Sequence, residues 1–493
     1  MSEIDRRLYA AAQVRELDRR AIEDQGIPGY TLMRRAAAAA WSAAQQRWPL
    51  LRSVSVVCGV GNNGGDGYEI ARLARKAGCA VRVCETSARV ARGDAATARA
   101  AWLEVGQVEP LPLAGDDFFK ADLLVDAIFG TGLTRAPQGA ELAAIEAING
   151  ARQHGSSVLA ADLPSGLQAD TGAELGTAVR ADLTVSFIGR KLGLHTGQGT
   201  GYSGQLVFDR LGVPDLVYEN LPPLATLLDA TDLRRWLPPR VRTAHKGDHG
   251  HVLVIGGDAG TIGAVLMTAR AALRAGAGLV SVATRAAHAA LLAAAQPELM
   301  SRGVETSGEL QTLIGRADVI AIGPGLGQGE WGAMAWAEAC GCGKPLVVDA
   351  DALNLLARQP RRNEHWILTP HPGEAGRLLG TPTAQVQAAR ADAARELQQR
   401  YGGVVLLKGA GTLVQGRELA LCPYGNPGMG VGGMGDALTG IIAALLGQGL
   451  DGEAAAQAGA LAHAMAGDRA AGGGERGLMP SDLIEALRAV VNP

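Results

Sequence analysis

The feature that most restricts the fold is an alternation, in two separate series, of short β-branched runs with longer amphipathic segments. From residue 53 the runs SVSVVCG, AVRVC, DLLVDAIFG, SVLAADLP and DLTVSF follow one another, with helical patterns between most of them. Runs that are apolar throughout suit strands covered on both faces, and strand-helix-strand succession makes such strands parallel. Two helices precede the series, over residues 12–25, where Val14, Leu17, Ala21 and Ile22 share one face, and over 30–48; both read as a cap packed on the sheet. The pattern lapses at LGVPDLVYENLPPLATL, where Pro214, Pro222 and Pro223 interrupt both periodicities. A second series then reads HVLVIGG, GLVSVAT, DVIAIGPG, PLVVDA, HWILTP, GVVLLKG, TLVQG and ELALC, closing with helices near 436–449, 453–471 and 480–491. The expected organisation is α/β throughout: one domain over residues 1–217, a linker over 218–225 and a different domain over 226–493, with no repeat between the halves.

A chain of 493 residues is long enough for two or three cores. Gly stands at 68 residues, about twice ordinary usage, while aromatics are only 4%, so the excess belongs in turns between strands and helices. Lys and Arg number 46 against 49 Asp and Glu, and the basic residues are scattered, which argues against nucleic acid or an acidic membrane as partner. The charged opening MSEIDRRLYAAAQVRELDRR is unlike a signal peptide, and no stretch reaches the ~18 apolar residues of a spanning helix. Six scattered cysteines, with only Cys340 and Cys342 close together, fit idle thiols in a reducing cytoplasm rather than a zinc or redox motif.

In the first half, Gly59-Val60-Gly61-Asn62-Asn63-Gly64-Gly65-Asp66-Gly67 links a strand to a helix, and glycines 59, 61 and 64 satisfy G-x-G-x-x-G. Such a turn suits a pyrophosphate at a helix N-terminus, with Glu85 where a ribose-binding acid would lie. A bound nicotinamide dinucleotide and a merely tight turn are both open readings. Asn62, Asn63 and Asp66 add amides and a carboxylate that a plain phosphate cradle does not need. A second loop, Phe129-Gly130-Thr131-Gly132-Leu133-Thr134-Arg135, and Asp162-Leu163-Pro164-Ser165-Gly166 end two further strands. The three loops should converge on one crevice, where oxygens of Asn63, Asp126 and Ser165 can hold a hard cation. Taken singly, Asp126 also suits a helix cap and Asp162 a turn before Pro164.

In the second half, the string Asn426-Pro427-Gly428-Met429-Gly430-Val431-Gly432-Gly433-Met434-Gly435-Asp436 runs straight into a helix. It aims N–H groups and a helix dipole at an anion and sets Asp436 beside it as a candidate base for phosphoryl transfer, or as an ordinary N-cap. Lys408-Gly409-Ala410-Gly411-Thr412 offers a cation, N–H groups and a hydroxyl to a nucleotide phosphate. Thr369-Pro370-His371-Pro372-Gly373-Glu374 pairs an imidazole with a carboxylate, suiting substrate contact and a water-mediated Mg²⁺, and Gly323-Pro324-Gly325-Leu326-Gly327 is another strand-end loop. The histidines of His245 to His251 read as surface or packed residues rather than zinc ligands.

Over nearly its whole length the sequence resembles the bifunctional NAD(P)H-hydrate repair enzymes. The strings that carry the resemblance are GNNGGDGYEIARLA, DAIFGTGLTR, DLPSG, HKGDHGHVLVIGG, RAALRAGAGLVSVAT, IGPGLG, VVDADALNLL, TPHPGEAGRLLG, KGAGT and NPGMGVGGMGDALTG. The resemblance implies a Rossmann-like, three-layer epimerase domain and a ribokinase-like dehydratase domain that uses ADP as co-substrate. It implies that Asn62, Asn63, Gly64, Gly65 and Asp66, the run Gly130, Thr131, Gly132, Leu133, Thr134, Arg135 and Ala136, and Asp162 contact hydrated NADH or NADPH, with Asp162 as acid/base. It places K⁺ on Asn63, Asp126 and Ser165. In the second domain it implies nucleotide contacts from Lys408, Gly409, Ala410, Gly411, Thr412 and Gly435. Hydrate contacts there would come from Ala264, Gly327, His371 and Asp436, with Asp436 catalytic. It also implies a homo-oligomer. Val431 departs from the family's frequent Ser or Thr. The rivals are an ATP-dependent small-molecule kinase of ribokinase-like fold and a non-catalytic binding module, and neither explains both motif sets on one chain.

Overall fold

The computed structural model describes residues 2–87 and 92–493, which divide into two compact units, Met1–Thr226 and Leu227–Pro493. In the first, seven strands form one all-parallel sheet. Across the sheet they run Val108–Pro110, Ala80–Glu85, Ser53–Cys58, Leu123–Ala127, Ser157–Ala161, Leu183–Phe187 and Gln205–Asp209. Strand order reverses between Ser53–Cys58 and Leu123–Ala127, the arrangement of a Rossmann-like sheet. The uniformly apolar runs are buried on both faces: Val54, Val56 and Cys58 face one core with Leu32, Ala36, Ile70 and Trp102, while Val57 and Leu124 face the other with Ile145 and Ile148. Each such side chain contributes about 1.5–3 kcal/mol of burial, so the β-branched strands act as the middle layer of three.

The helix expected over 12–25 is α-helical only over Ala11–Arg19 and continues as a π-helical turn, Arg20–Asp24; the second spans Gly29–Arg47. The strand Gln205–Asp209 was not legible, because QLVFD is brief and follows a Gly-rich stretch. Residues 218–225, expected as a linker, are instead packed in the first unit. Tyr218 is buried with its hydroxyl donating to Ile188 O at 2.7 Å, and Leu224 N donates to Leu8 O at 2.8 Å. The prolines interrupt periodicity there without freeing the chain.

In the second unit the strands run across the sheet as Met300–Gly303, Leu279–Thr284, His251–Ile255, Val319–Ile322, Leu346–Val348, Trp366–Leu368, Val404–Leu407, Thr412–Gln415 and Leu419–Cys422. All neighbours are parallel until Val404–Leu407, after which the pairing is antiparallel. Helices Ile262–Arg274, Met434–Gly447, Gly452–Ala470 and Pro480–Val490 cover one face. Met300–Gly303 went unread, since MSRG has no β signal and is recruited by its neighbour.

Candidate active sites

Each unit brings its chemically equipped loops to the carboxyl ends of its parallel strands, where doubly wound sheets bind ligands. In the first unit a cavity of about 480 Å³ opens where strand order reverses. Gly61, Asn62, Asn63 and Asp66 line it from the start of helix Asn62–Lys76, and Gly130, Thr131, Gly132 and Leu133 from the next loop. Asp162 and Lys191 line it too, as does Asp18 from helix Ala11–Arg19.

Asp162 sits at φ +67°, a left-handed conformation that a non-glycine residue holds only when its surroundings impose it. Here its N–H donates to Val185 O at 2.8 Å, and its Oδ1 accepts from Phe187 N at 3.3 Å and from Lys191 Nζ. Lys191 is buried, and its ammonium also donates to Ser186 Oγ at 3.1 Å and Phe187 O at 2.9 Å, so all three of its protons are committed. One carboxylate, Asp162, is bound to the ammonium, while Asp18 and Asp66 feel its charge from further away. Burial, with Asp162 and Asp18 adding to it, pushes Asp66 well above the usual carboxylate range. Burial also raises Asp18 to about 6, against the pull of Lys191. The cavity therefore sets Asp66, whose burial favours the protonated form, beside Asp162, which is paired with Lys191, and a proton donor next to a carboxylate is the equipment for moving a proton.

Beneath the cavity, Asp126 is fully buried and raised to about 6 by that burial. Its carboxylate accepts from Ser165 N at 2.7 Å, Ser165 Oγ at 2.6 Å and Ile128 N at 3.3 Å, while Ser165 Oγ accepts from Phe129 N at 2.9 Å. These bonds tie two loops together. Asn63 is buried, yet neither its amide oxygen nor its nitrogen has a protein partner. The orphaned amide oxygen of buried Asn63 and the buried carboxylate of Asp126 are each the kind of oxygen donor that a weakly charged hard cation takes.

Not every expected residue lines this cavity. Gly64 and Gly65 serve packing, because a Cβ at 64 would stand 1.9 Å from Gly59 O and one at 65 would stand 2.5 Å from Met33 Cε. Thr134, Arg135 and Ala136 are exposed, and Arg135 is paired with Glu141 at 2.8 Å. Glu85 is not free for a ribose: Tyr68 Oη and Arg99 Nε both donate to it at 2.5 Å.

In the second unit the centre is a buried charge network. Lys408 Nζ pairs with Asp349 Oδ1 at 2.8 Å and lies 3.9 Å from Glu374 Oε2, while Thr439 Oγ1 donates to Asp349 Oδ2 at 2.8 Å. Burial alone would raise Asp349, but the Lys408 ammonium outweighs it and holds the carboxyl below its ordinary value. A Cβ at Gly435 would come within 3.1 Å of Lys408 Nζ, so the missing side chain lets the ammonium lie over the first turn of helix Met434–Gly447. Asp436 is in that turn. Burial, reinforced by the negative charges of Asp349 and Glu374, raises it to about 7 despite Lys408. That is where a general base is most effective at neutral pH.

His371 caps helix Pro372–Leu379: its Nδ1 accepts from Gly373 N at 2.9 Å and Glu374 N at 3.4 Å, and Glu374 returns the contact by accepting from His371 N at 2.8 Å. Burial lowers the imidazole pKa, so the ring is neutral with its proton on Nε2. The turn Lys408 to Thr412 is clamped by buried Arg390, which donates to the carbonyls of Leu407, Lys408 and Gly411 at 3.3–3.4 Å. Thr412 Oγ1 closes the turn on Gly409 O at 3.0 Å, and a Cβ on Gly409 would meet the Arg390 guanidinium at 2.9 Å. Ala410 is held in the same turn. Gly327, at φ +71°, donates its N–H to Asp351 at 3.0 Å, and Ala264 is half-buried on helix Ile262–Arg274. These two lie on strand-end elements outside the Lys408 network.

Sequence reasoning missed Asp18, Lys191, Asp349 and Arg390 as members of these sites. Lys191 carried a usable signal, a cationic pair with Arg190 set between the apolar stretches of FIGRKLGL; Arg390, one of several arginines on a polar helix, carried none.

Two family models match the chain: one described as YjeF-related protein N-terminus, over residues 29–193, and one described as NAD(P)H-hydrate dehydratase, over residues 252–489. A protein of Coxiella burnetii named bifunctional NAD(P)H-hydrate repair enzyme Nnr is 47% identical over 492 residues, covering 99% of each chain. The Escherichia coli protein of the same name is 45% identical over 491 residues, covering 99% of this chain and 94% of that one. Among solved structures, a ribokinase-like superfamily protein from Enterococcus faecalis aligns with a TM-score of 0.51 at 29% identity, over 54% of this chain and 95% of its own.

Proposed function

Because the chain belongs to the bifunctional NAD(P)H-hydrate repair enzymes, we propose that its two crevices divide the repair of hydrated NADH and NADPH. The first interconverts the R and S hydrates, and the second dehydrates the S form at the expense of ADP, giving AMP and phosphate. The observation that carries the residue assignment is Asp436, a carboxyl raised to about 7 inside the Lys408 network and in the first turn of a helix entered through a Gly-dense loop.

The chemistry follows from leaving-group quality. Hydroxide leaves C6 of the nicotinamide ring poorly, whereas phosphate leaves well. Asp436 takes the proton of the C6 hydroxyl, whose oxygen attacks the β-phosphorus of ADP and displaces AMP. The ring nitrogen lone pair then breaks the C6–O bond, phosphate departs, and loss of a C5 proton restores the dihydronicotinamide. Lys408, with the turn through Thr412 and with Gly435, holds the ADP phosphates, and His371 Nε2–H, Gly327 and Ala264 contact the hydrate. Mg²⁺ arriving with ADP would meet Glu374 through water and would neutralise phosphate charge.

In the first crevice Asp162 is the acid/base at the reacting ring, positioned by Lys191, while Asn62, Asn63, Asp66 and the loop from Gly130 hold the hydrate. We assign K⁺ to the oxygens of Asn63, Asp126 and Ser165, where it would supply positive charge beside the dinucleotide. All six cysteines are free, which supports a reducing, cytoplasmic setting, and a homo-oligomer completes the reading. The test is incubation with mixed R and S hydrates of NADH plus ADP, Mg²⁺ and K⁺, following dihydronicotinamide absorbance. Complete recovery with AMP and phosphate in step is expected. Recovery of only the S half would remove the epimerase, and a stable phosphorylated alcohol built from ATP would favour the kinase rival.

A further inference from the structure

Helices Gly29–Arg47 and Asn62–Lys76, which line the first crevice, border a second, open hollow of about 590 Å³ with different residues. Five cationic side chains line it, Arg34, Arg35, Arg72, Arg75 and Lys76, against one acid, Glu69. That acid is already engaged. Glu69 is buried, accepts from Tyr30 Oη at 2.7 Å and holds Arg72 at 2.9 Å. Arg35 donates to Leu211 O at 2.8 Å and Arg75 lies 6.0 Å from the Trp102 ring centroid, contacts that leave their charge in place. Among the described residues no carboxylate pairs with Arg34, Arg35, Arg75 or Lys76. On a chain of net charge −3, four uncompensated cations around one hollow are a local arrangement rather than a consequence of composition.

We propose that this hollow binds a small polyphosphate, separately from both crevices. Guanidinium forks match phosphate oxygens in pairs, and four cations neutralise a pyrophosphate- or triphosphate-class anion. The hollow has the volume of a small-ligand site. Its lining contains no aromatic ring on which a base could stack, so the phosphates, rather than a nucleobase, are what it recognises. A second copy of this chain, presenting the same positive face, would be repelled.

The test uses inorganic tripolyphosphate, without Mg²⁺, titrated calorimetrically into the full-length protein carrying Lys408→Ala, so that the second-unit nucleotide site does not contribute. One tripolyphosphate per chain is expected. The added pair Arg34→Glu and Arg75→Glu should weaken binding at least about tenfold, whereas Arg34→Lys with Arg75→Lys should stay within about threefold. R/S interconversion should be unchanged in both. Titration with ADP separates the sources: comparable affinity for ADP and tripolyphosphate marks a phosphate site. Equal binding by the charge-reversed protein, no heat up to about 1 mM, or tighter binding of a single-stranded RNA oligomer than of tripolyphosphate would each overturn the proposal.

Discussion

Replacing Asp436 with Asn tests the second site at its most constrained residue. Burial and two neighbouring carboxylates hold Asp436 at about 7, so roughly a tenth is ionised at pH 6 and nine-tenths at pH 8. If its carboxylate is the base, kcat for dehydration of pure S hydrate should rise about tenfold over that range. Asn keeps the volume but accepts no proton, and the rate should fall ~10²- to 10⁴-fold with the pH dependence gone. The same shift fixes a stability effect. A carboxyl raised in the folded state binds its proton more tightly there than in the unfolded chain, so wild-type stability is lost as pH climbs from about 4 to about 7. Asp436→Asn escapes that loss. It should be more stable than wild type at pH 8, on the order of 1–2 kcal/mol after allowance for solvent screening, with the difference gone at pH 4. The assays are dihydronicotinamide absorbance across pH and thermal melts at the two pH values. A flat wild-type profile, near-normal activity of the variant, or lower stability at pH 8 would each refute the reasoning.

Three further outcomes follow from contacts already described. Lys191→Met removes the buried ammonium paired with Asp162, and should slow R/S interconversion ~10²-fold or more while leaving dehydration of pure S hydrate intact. Arg390→Met strips the clamp from three carbonyls, and should lower the melting temperature of the second unit by an amount equivalent to on the order of 3 kcal/mol and raise KM for ADP. Gly59→Ala drives a Cβ to 2.0 Å from Ile128 O and should destabilise the first unit severely, whereas Gly61→Ala, with nothing within 4 Å, should melt near wild type; paired melts compare them.

How much of this was legible depended on whether a residue's role was local. The central strands announced themselves because burial on both faces demands β-branched runs, whereas Val108–Pro110 and Met300–Gly303 are ordered by a neighbour rather than by their own composition. Asp162 and Asp436 could be read because each ends a strand or opens a helix beside glycines. Asp349, the partner of Lys408, lies 59 residues from it in sequence, and nothing in VVDADALNLL distinguishes it from a turn former. The glycine fingerprint was legible as a turn. A Cβ at Gly64 or Gly65 would collide with Gly59 or Met33, while Gly61, Asn62, Asn63 and Asp66 line the cavity.

The central claim, that one substrate visits two independent sites on this chain, is tested most directly by complementation. Asp162→Asn and Asp436→Asn are each supplied with mixed R and S hydrates and ADP, then mixed in equal amounts, with a protein-free control for spontaneous exchange of the epimers. The account predicts that Asp162→Asn alone stops near the S half, Asp436→Asn alone restores almost nothing, and the mixture recovers the full dihydronicotinamide absorbance. A mixture that stops at the S half, or an Asp436→Asn protein that has also lost R/S interconversion, would contradict it.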